Sequence, residues 1–138
     1  MSARIKIDLH QYLTTSAEEA YSDLCDWKDH ERWVPFTKVT IHSPQEFTAY
    51  TGIRPFIIKD RMRVTARNDE VKEATFLKLG PLLTGTAGFK VRGYGTKSCI
   101  VVWQENIKVS YLPGFLSKPL TAIARKLFRY ALRRLPRS

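Results

Sequence analysis

The 138-residue chain predicts an α+β domain in which a curved, seven-stranded antiparallel sheet wraps around one long C-terminal helix. Three observations carry that prediction. Residues 3 to 109 break into segments that alternate apolar and polar side chains, the period of a strand with one wet face. Gly, Pro and Asn-Asp punctuate those segments at hairpin spacing. The last stretch, Pro113 to Leu135, changes to the helical period, with Leu116, Leu120, Ile123, Leu127 and Leu135 on one side and Lys118, Arg125, Lys126, Arg129 and Arg133 on the other. Its apolar arc is wider than the ~100° needed to dock on one neighbour, so a broad apolar surface is expected to face it.

The first strand is residues 4 to 13, with Ile5, Ile7, Leu9 and Leu13 on one face. Ser16 with Glu19 three residues on is a capping box that starts a short helix carrying Ala20, Tyr21, Leu24 and Cys25 on its apolar side. Asp26 or Asp29 caps a second short turn, Lys28 to Trp33, which Val34-Pro35 ends. A meander follows. Val39 and Ile41 mark the second strand, Phe47 to Thr51 the third and Ile57 to Arg67 the fourth, before the Asn68-Asp69 turn. Lys72 to Leu79, Leu83 to Arg92 and Thr96 to Val109 complete it, joined by Gly80-Pro81 and Gly93-Tyr94-Gly95. Pro136 stops the final helix. With no internal repeat or linker, residues 1 to 138 read as one domain.

On the fourth strand Ile58, Met62, Val64 and Ala66 share a face, while Lys59, Arg61, Arg63 and Arg67 take the other. Asp60 breaks the apolar face, and Glu105 does the same beside Cys99, Val101, Trp103 and Ile107 on the seventh strand. Two carboxylates therefore point into the concave side. Each needs a partner, a raised pKa or a wet rim, because an unpaired buried charge is costly.

Hydrophobic content of 43% excludes a disordered chain, and the absence of an apolar leader or an ~18-residue apolar run predicts a soluble cytoplasmic protein. Cys25 and Cys99 lack the spacing of a metal site or disulfide framework, so no metal and no cofactor is expected. The formal charge of +10 raises affinity for polyanions. Phosphate contacts are one use of it, but no aromatic platform interleaves the basic residues, which argues against nucleic acid. An anionic membrane surface, met by the basic C-terminal helix, is the alternative.

Several stretches carry a family resemblance: SAEEAYSDLCDWKDHERWVP (Ser16 to Pro35), DRMRVTARND (Asp60 to Asp69), GPLLTGTAGFKV (Gly80 to Val91), GYGTKSCIVVWQE (Gly93 to Glu105) and ARKLFRYALRRL (Ala124 to Leu135). In this order the chain resembles the START-like, Bet v 1-like superfamily (SRPBCC, including polyketide cyclases and dehydrases and lipid carriers), as a small single-domain member. The resemblance implies the helix-grip fold, with two short helices after the first strand. It also implies an apolar ligand held between sheet and helix, or cyclisation and dehydration chemistry.

A cavity at that place would be lined by Trp33, Met62, Val64, Leu77 and Phe89, by Val101 and Trp103, and by Leu120, Ile123 and Leu127 from the helix. An apolar pocket with few polar groups suits a hydrophobic small molecule, a lipid or a polyketide-like compound. Asp60 and Glu105 are the candidate general acid and base for an enzyme. His30, beside Trp33 at the expected mouth, is the histidine to test, since His10 and His42 fall on outward faces. A carrier, a cyclase or dehydratase, and a basic module for an anionic partner remain the three readings.

Overall fold

The computed structural model describes residues 2 to 137. Strand β1 (Ser2–Leu13) leads into helix α1 (Ala17–Cys25), a single tight turn at Trp27–Asp29 and the short helix α2 (His30–Trp33). The meander β2 (Thr37–Ser43), β3 (Glu46–Ile53), β4 (Phe56–Asn68), β5 (Glu73–Leu79), β6 (Leu83–Gly93) and β7 (Cys99–Pro113) follows, and one turn at Gly114–Leu116 precedes helix α3 (Ser117–Arg133). The seven strands form one antiparallel sheet in the order β1-β7-β6-β5-β4-β3-β2. This is the predicted helix-grip arrangement.

Local chemistry starts α1 and the tight turn after it where the sequence placed them. The Ser16 hydroxyl accepts from the Glu19 amide at 3.1 Å, and the Asp26 carboxylate accepts from the Asp29 amide at 3.3 Å. Both fill donors that a helix start leaves open. At the far end Arg32 joins the two ends of the fold. Its guanidinium pairs with Asp29 at 3.0 Å and donates to the carbonyl of Leu135 at 2.6 Å, while Arg134 donates to the carbonyl of Arg32 at 3.1 Å. The carbonyls of Arg134 and Leu135, just past the end of α3, are thus held by one cation, Arg32. At its other end α3 is fixed by the Arg4 amide, which donates to the Ser117 hydroxyl at 2.9 Å.

Two structural details revise the expected faces. The β4–β5 register slips between Val64 and Ala66, so that Arg67 pairs with Ala74 rather than keeping phase with Arg63. One inserted residue changes which side the following side chains face. Arg67, expected outside, therefore lies over the ring of buried Tyr21, 5.9 Å from its centroid. The second revision concerns α3, which packs against β1 rather than across the whole sheet. Ala131, Leu132 and Leu135 are buried, yet Ile123 is 64% exposed. Its wide apolar arc is only half covered.

The core is aromatic and lies beneath α1 and α2. Trp27 stacks on Phe47 at 5.2 Å and meets Phe76 edge-on at 5.4 Å. Trp103 is held on both faces, by Phe89 at 5.9 Å and by Phe128 of α3 at 5.2 Å, with Trp33 edge-on at 5.9 Å. Stacked and edge-on pairs add ~0.5–1.5 kcal/mol each beyond the area they bury. A smaller cluster of Ala3, Ile107 and Val109 takes Leu116 and Leu120 at the start of α3.

Candidate functional site

The concave face encloses a cavity of about 70 Å³ between α2, the strands β2 to β7 and the middle of α3. Strand geometry builds it. Lys78 of β5 lies opposite Met62 of β4, Ala87 of β6 opposite both Phe76 and Glu105, and Gly85 opposite Lys78. Small side chains on β6 leave the room into which Lys78 and Glu105 reach from either side. From above, His30, Trp33 and Val34 close the space, and Phe128 walls it on the helix side.

Its polar centre is a charged cluster. The Lys78 ammonium, 5% exposed as a residue, meets an Asp60 carboxylate oxygen at 2.5 Å and the Met62 sulfur at 3.7 Å. Glu105 is equally buried, and its carboxylate accepts the indole N–H of Trp103 at 2.7 Å. Burial pulls the Lys78 pKa down, but attraction to Asp60 and Glu105 and the hydrogen bond to Asp60 outweigh it, so Lys78 stays charged with its pKa above the ordinary value. Burial pushes the Glu105 carboxyl up, against the opposing pull of Lys78 and of the Trp103 bond. The cluster is therefore one fixed cation between a carboxylate that holds it and a second acid inclined to keep its proton.

Two lining groups have no protein partner. The indole N–H of Trp33 is a buried donor and Asp60 Oδ1 a buried acceptor, and both residues line the cavity. Each unmet group costs ~1–3 kcal/mol. His30 is not a third. Its Nε2–H donates to the Leu24 carbonyl at 2.8 Å, and burial, opposed by that bond and by Asp29 and Asp26, holds its pKa below the ordinary value, so the ring is neutral. Thr37 and Thr51 face the cavity with their hydroxyls paired at 2.8 Å.

Asp60 and Glu105 are thus brought to one cavity, and Trp33, Met62 and Trp103 line it with them. The remaining expected residues do not. Phe89 and Val101 are fully buried and fill the core. Val64 packs against that core from its edge, and Leu120 joins the separate cluster by Val109. Ile123 faces out, and Leu127 is half-buried beside the cavity without lining it. Leu77, at 38% exposure, points to the outer face, because β5 turns Ala74, Phe76 and Lys78 inward. Trp103 cannot stack on a flat ligand, since both its faces are covered. The residue that sequence reasoning missed is Lys78. Its signal was indirect: two inward carboxylates call for an inward cation on a strand between them.

No family model matches the chain, and no curated protein matches it in sequence. Solved structures do match its fold. A START superfamily protein from Mycobacterium smegmatis superposes with a TM-score of 0.79 at 15% identity, over 92% of this chain and 93% of that one. The Zhui aromatase/cyclase from Streptomyces sp. R1128 gives 0.79 at 12% identity, over 94% and 91%. Norcoclaurine synthase from Thalictrum flavum, in complex with dopamine and hydroxybenzaldehyde, gives 0.67 at 13% identity, over 95% and 85%.

Proposed function

We propose, from a START-like, Bet v 1-like fold with a charged cluster at the bottom of an apolar cavity, that this protein binds a small, mainly apolar molecule bearing a polar group. The observation that carries the reading is the convergence of an unpaired donor, Trp33 Nε1–H, and an unpaired acceptor, Asp60 Oδ1, on one cavity. A hydroxyl or carbonyl oxygen meets the first, and a hydroxyl proton the second. Lys78 and Glu105 then complete the polar end, while Phe47, Phe76, Met62 and Phe128 surround the apolar remainder.

Size constrains the ligand. About 70 Å³ is far below the ~300–1,000 Å³ of a drug-sized pocket, so either one small ring enters or the walls move. The movable wall is the middle of α3, which is fastened at Arg4 and at Arg32 but half-covered between them. Norcoclaurine synthase, of the same fold, holds two small aromatic molecules, which supports a ligand of that scale.

The test is titration with phenol, a single-ring aromatic alcohol, read by tryptophan fluorescence, beside native mass spectrometry of the protein from its own host. Saturable quenching is expected for the wild type and its loss for Ala87→Phe, which fills the space between Phe76 and Glu105. A folded Ala87→Phe variant that binds as well as wild type overturns the assignment.

A cyclase or dehydratase is the second reading, favoured by the unequal settings of the two carboxyls. Asp60 keeps one oxygen, Oδ1, free of protein partners and is placed to accept a proton; Glu105, pushed toward its neutral form by burial, suits an acid. Turnover of a polyketide-like substrate that survives Asp60→Asn with Glu105→Gln would remove both roles.

A further inference from the structure

The two ends of the grip differ in chemistry. Strand directions place the start of β2, the β3–β4 hairpin, the β5–β6 turn, the end of β7 and the start of α3 along one rim. On this rim Phe36 is 69% exposed, Ile53 64%, Phe56 83%, Tyr111 82% and Phe115 80%. Single exposed apolar residues need no explanation, but a row of them on one edge does. Two of these residues, Phe36 (φ 56) and Tyr111 (φ 71), also occupy the left-handed backbone region, which is costly for bulky side chains.

Charge follows the same division. Residues 50–59, 77–88 and 106–126 contain no Asp or Glu, yet they include Arg54, Lys59, Lys108, Lys118, Arg125 and Lys126. Asp60 and Glu105 point into the cavity. The other carboxylates sit on β1, on α1 and α2 and their connecting turn, and at the β2–β3 and β4–β5 turns of the opposite end. One rim is apolar and cationic, and the surface acids lie off it, mostly toward the far end, with Asp8 in mid-strand and Glu31 beside Val39.

We infer that this rim docks on an anionic lipid bilayer, with Phe36, Ile53, Phe56 and Phe115 entering the headgroup boundary and Arg54, Lys59 and Lys118 beside the phosphates. Rings flanked by cations and free of acids match that interface, where apolar burial and attraction to anionic lipid act together. A soluble polyanion would use the cations but leave the rings in water. The inference goes beyond the cavity assignment and holds whether or not the cavity binds a ligand.

Co-sedimentation of the full chain with vesicles of phosphatidylcholine, with and without phosphatidylglycerol, tests it. Binding is expected only with phosphatidylglycerol, weakening as salt rises. Phe56→Ser combined with Phe115→Ser is expected to weaken it about tenfold or more, from the apolar area withdrawn. Tyr94→Ser with Val71→Ser, at the acidic end, is expected to change nothing. Absence of binding, equal binding to neutral vesicles, or equal loss in both double variants overturns the inference. So does binding that the Phe56/Phe115 variant retains in full and RNA displaces, which would make the partner a nucleic acid. An unchanged far-UV circular dichroism spectrum and urea midpoint for the Phe56/Phe115 variant show that its fold is intact.

Discussion

Lys78→Met removes the cation that Asp60 and Glu105 share while keeping an unbranched side chain of similar length. The Lys78 side chain is 4% exposed and that of Asp60 16%, so water cannot replace the lost partner without rearrangement. Breaking a buried ion pair from one side costs ~3–5 kcal/mol, a large part of a typical ~5–15 kcal/mol stability. With a urea slope of about 1.5 kcal/mol per molar, 3 kcal/mol moves the midpoint down by about 2 M. The loss depends on pH. Glu105 titrates above its ordinary value in the fold, so it favours folding while protonated, and that contribution disappears as pH rises through the folded pKa. Without Lys78 its pKa climbs further, and Lys78→Met should cost less at pH 5 than at pH 8. Urea unfolding at the two values, with the slope unchanged, measures the difference. A loss below about 1 kcal/mol at pH 8, or one equal at both pH values, would refute the charged-cluster account. Replacing the pair together, as Lys78→Met with Asp60→Leu, should recover most of the stability, because two matched apolar side chains leave fewer charges stranded.

Two further outcomes follow from the interior. His30 binds its proton less readily in the fold than in the unfolded chain, so its contribution is present above the ordinary histidine pKa and is lost as pH falls below it. His30→Gln should flatten the fall of thermal stability between pH 7.5 and 5.5, over which one such group accounts for about 1.4 kcal/mol in all; an unchanged slope would place the acid sensitivity elsewhere. Gly85 has φ +125, and a Cβ there would stand 2.2 Å from the Asn106 carbonyl oxygen. Gly85→Ala should therefore cost about 3 kcal/mol or more in urea, and a cost under about 1 kcal/mol would mean that β6 and β7 can part at this point.

The fold was legible because hairpin spacing, strand alternation and the final helical period agreed with one another. The N-cap at Ser16 lies where its spacing from Glu19 placed it, and the inward pair Asp60 and Glu105 where alternation did. Alternation failed on β5. In ATFLKL the two faces are almost equally apolar, and a lysine ordinarily marks the outside, so Leu77 was read inward and Lys78 was given no role. Two carboxylates on other strands reverse that rule by offering Lys78 a partner in the interior. Arg67 was misplaced for a different reason: a slip of one residue changes every later face and leaves no mark in composition. The width of the helix arc was read as a demand for cover, although part of it, Ile123 included, stays exposed on α3. The unmet groups of Trp33 and Asp60 had no counterpart in the sequence, because a missing hydrogen bond is a property of geometry alone.

The placement of β1 beside β7 also sets an order of assembly. β2 to β7 are joined by short turns, so each pairing closes a small loop as the chain emerges. β1 must instead wait for a partner about a hundred residues downstream, and Arg4 waits for Ser117, 113 residues away. Closures of that length are slow. During synthesis β1 is therefore made long before it is seated, and the cavity acquires its Phe128 wall only once α3 has been made.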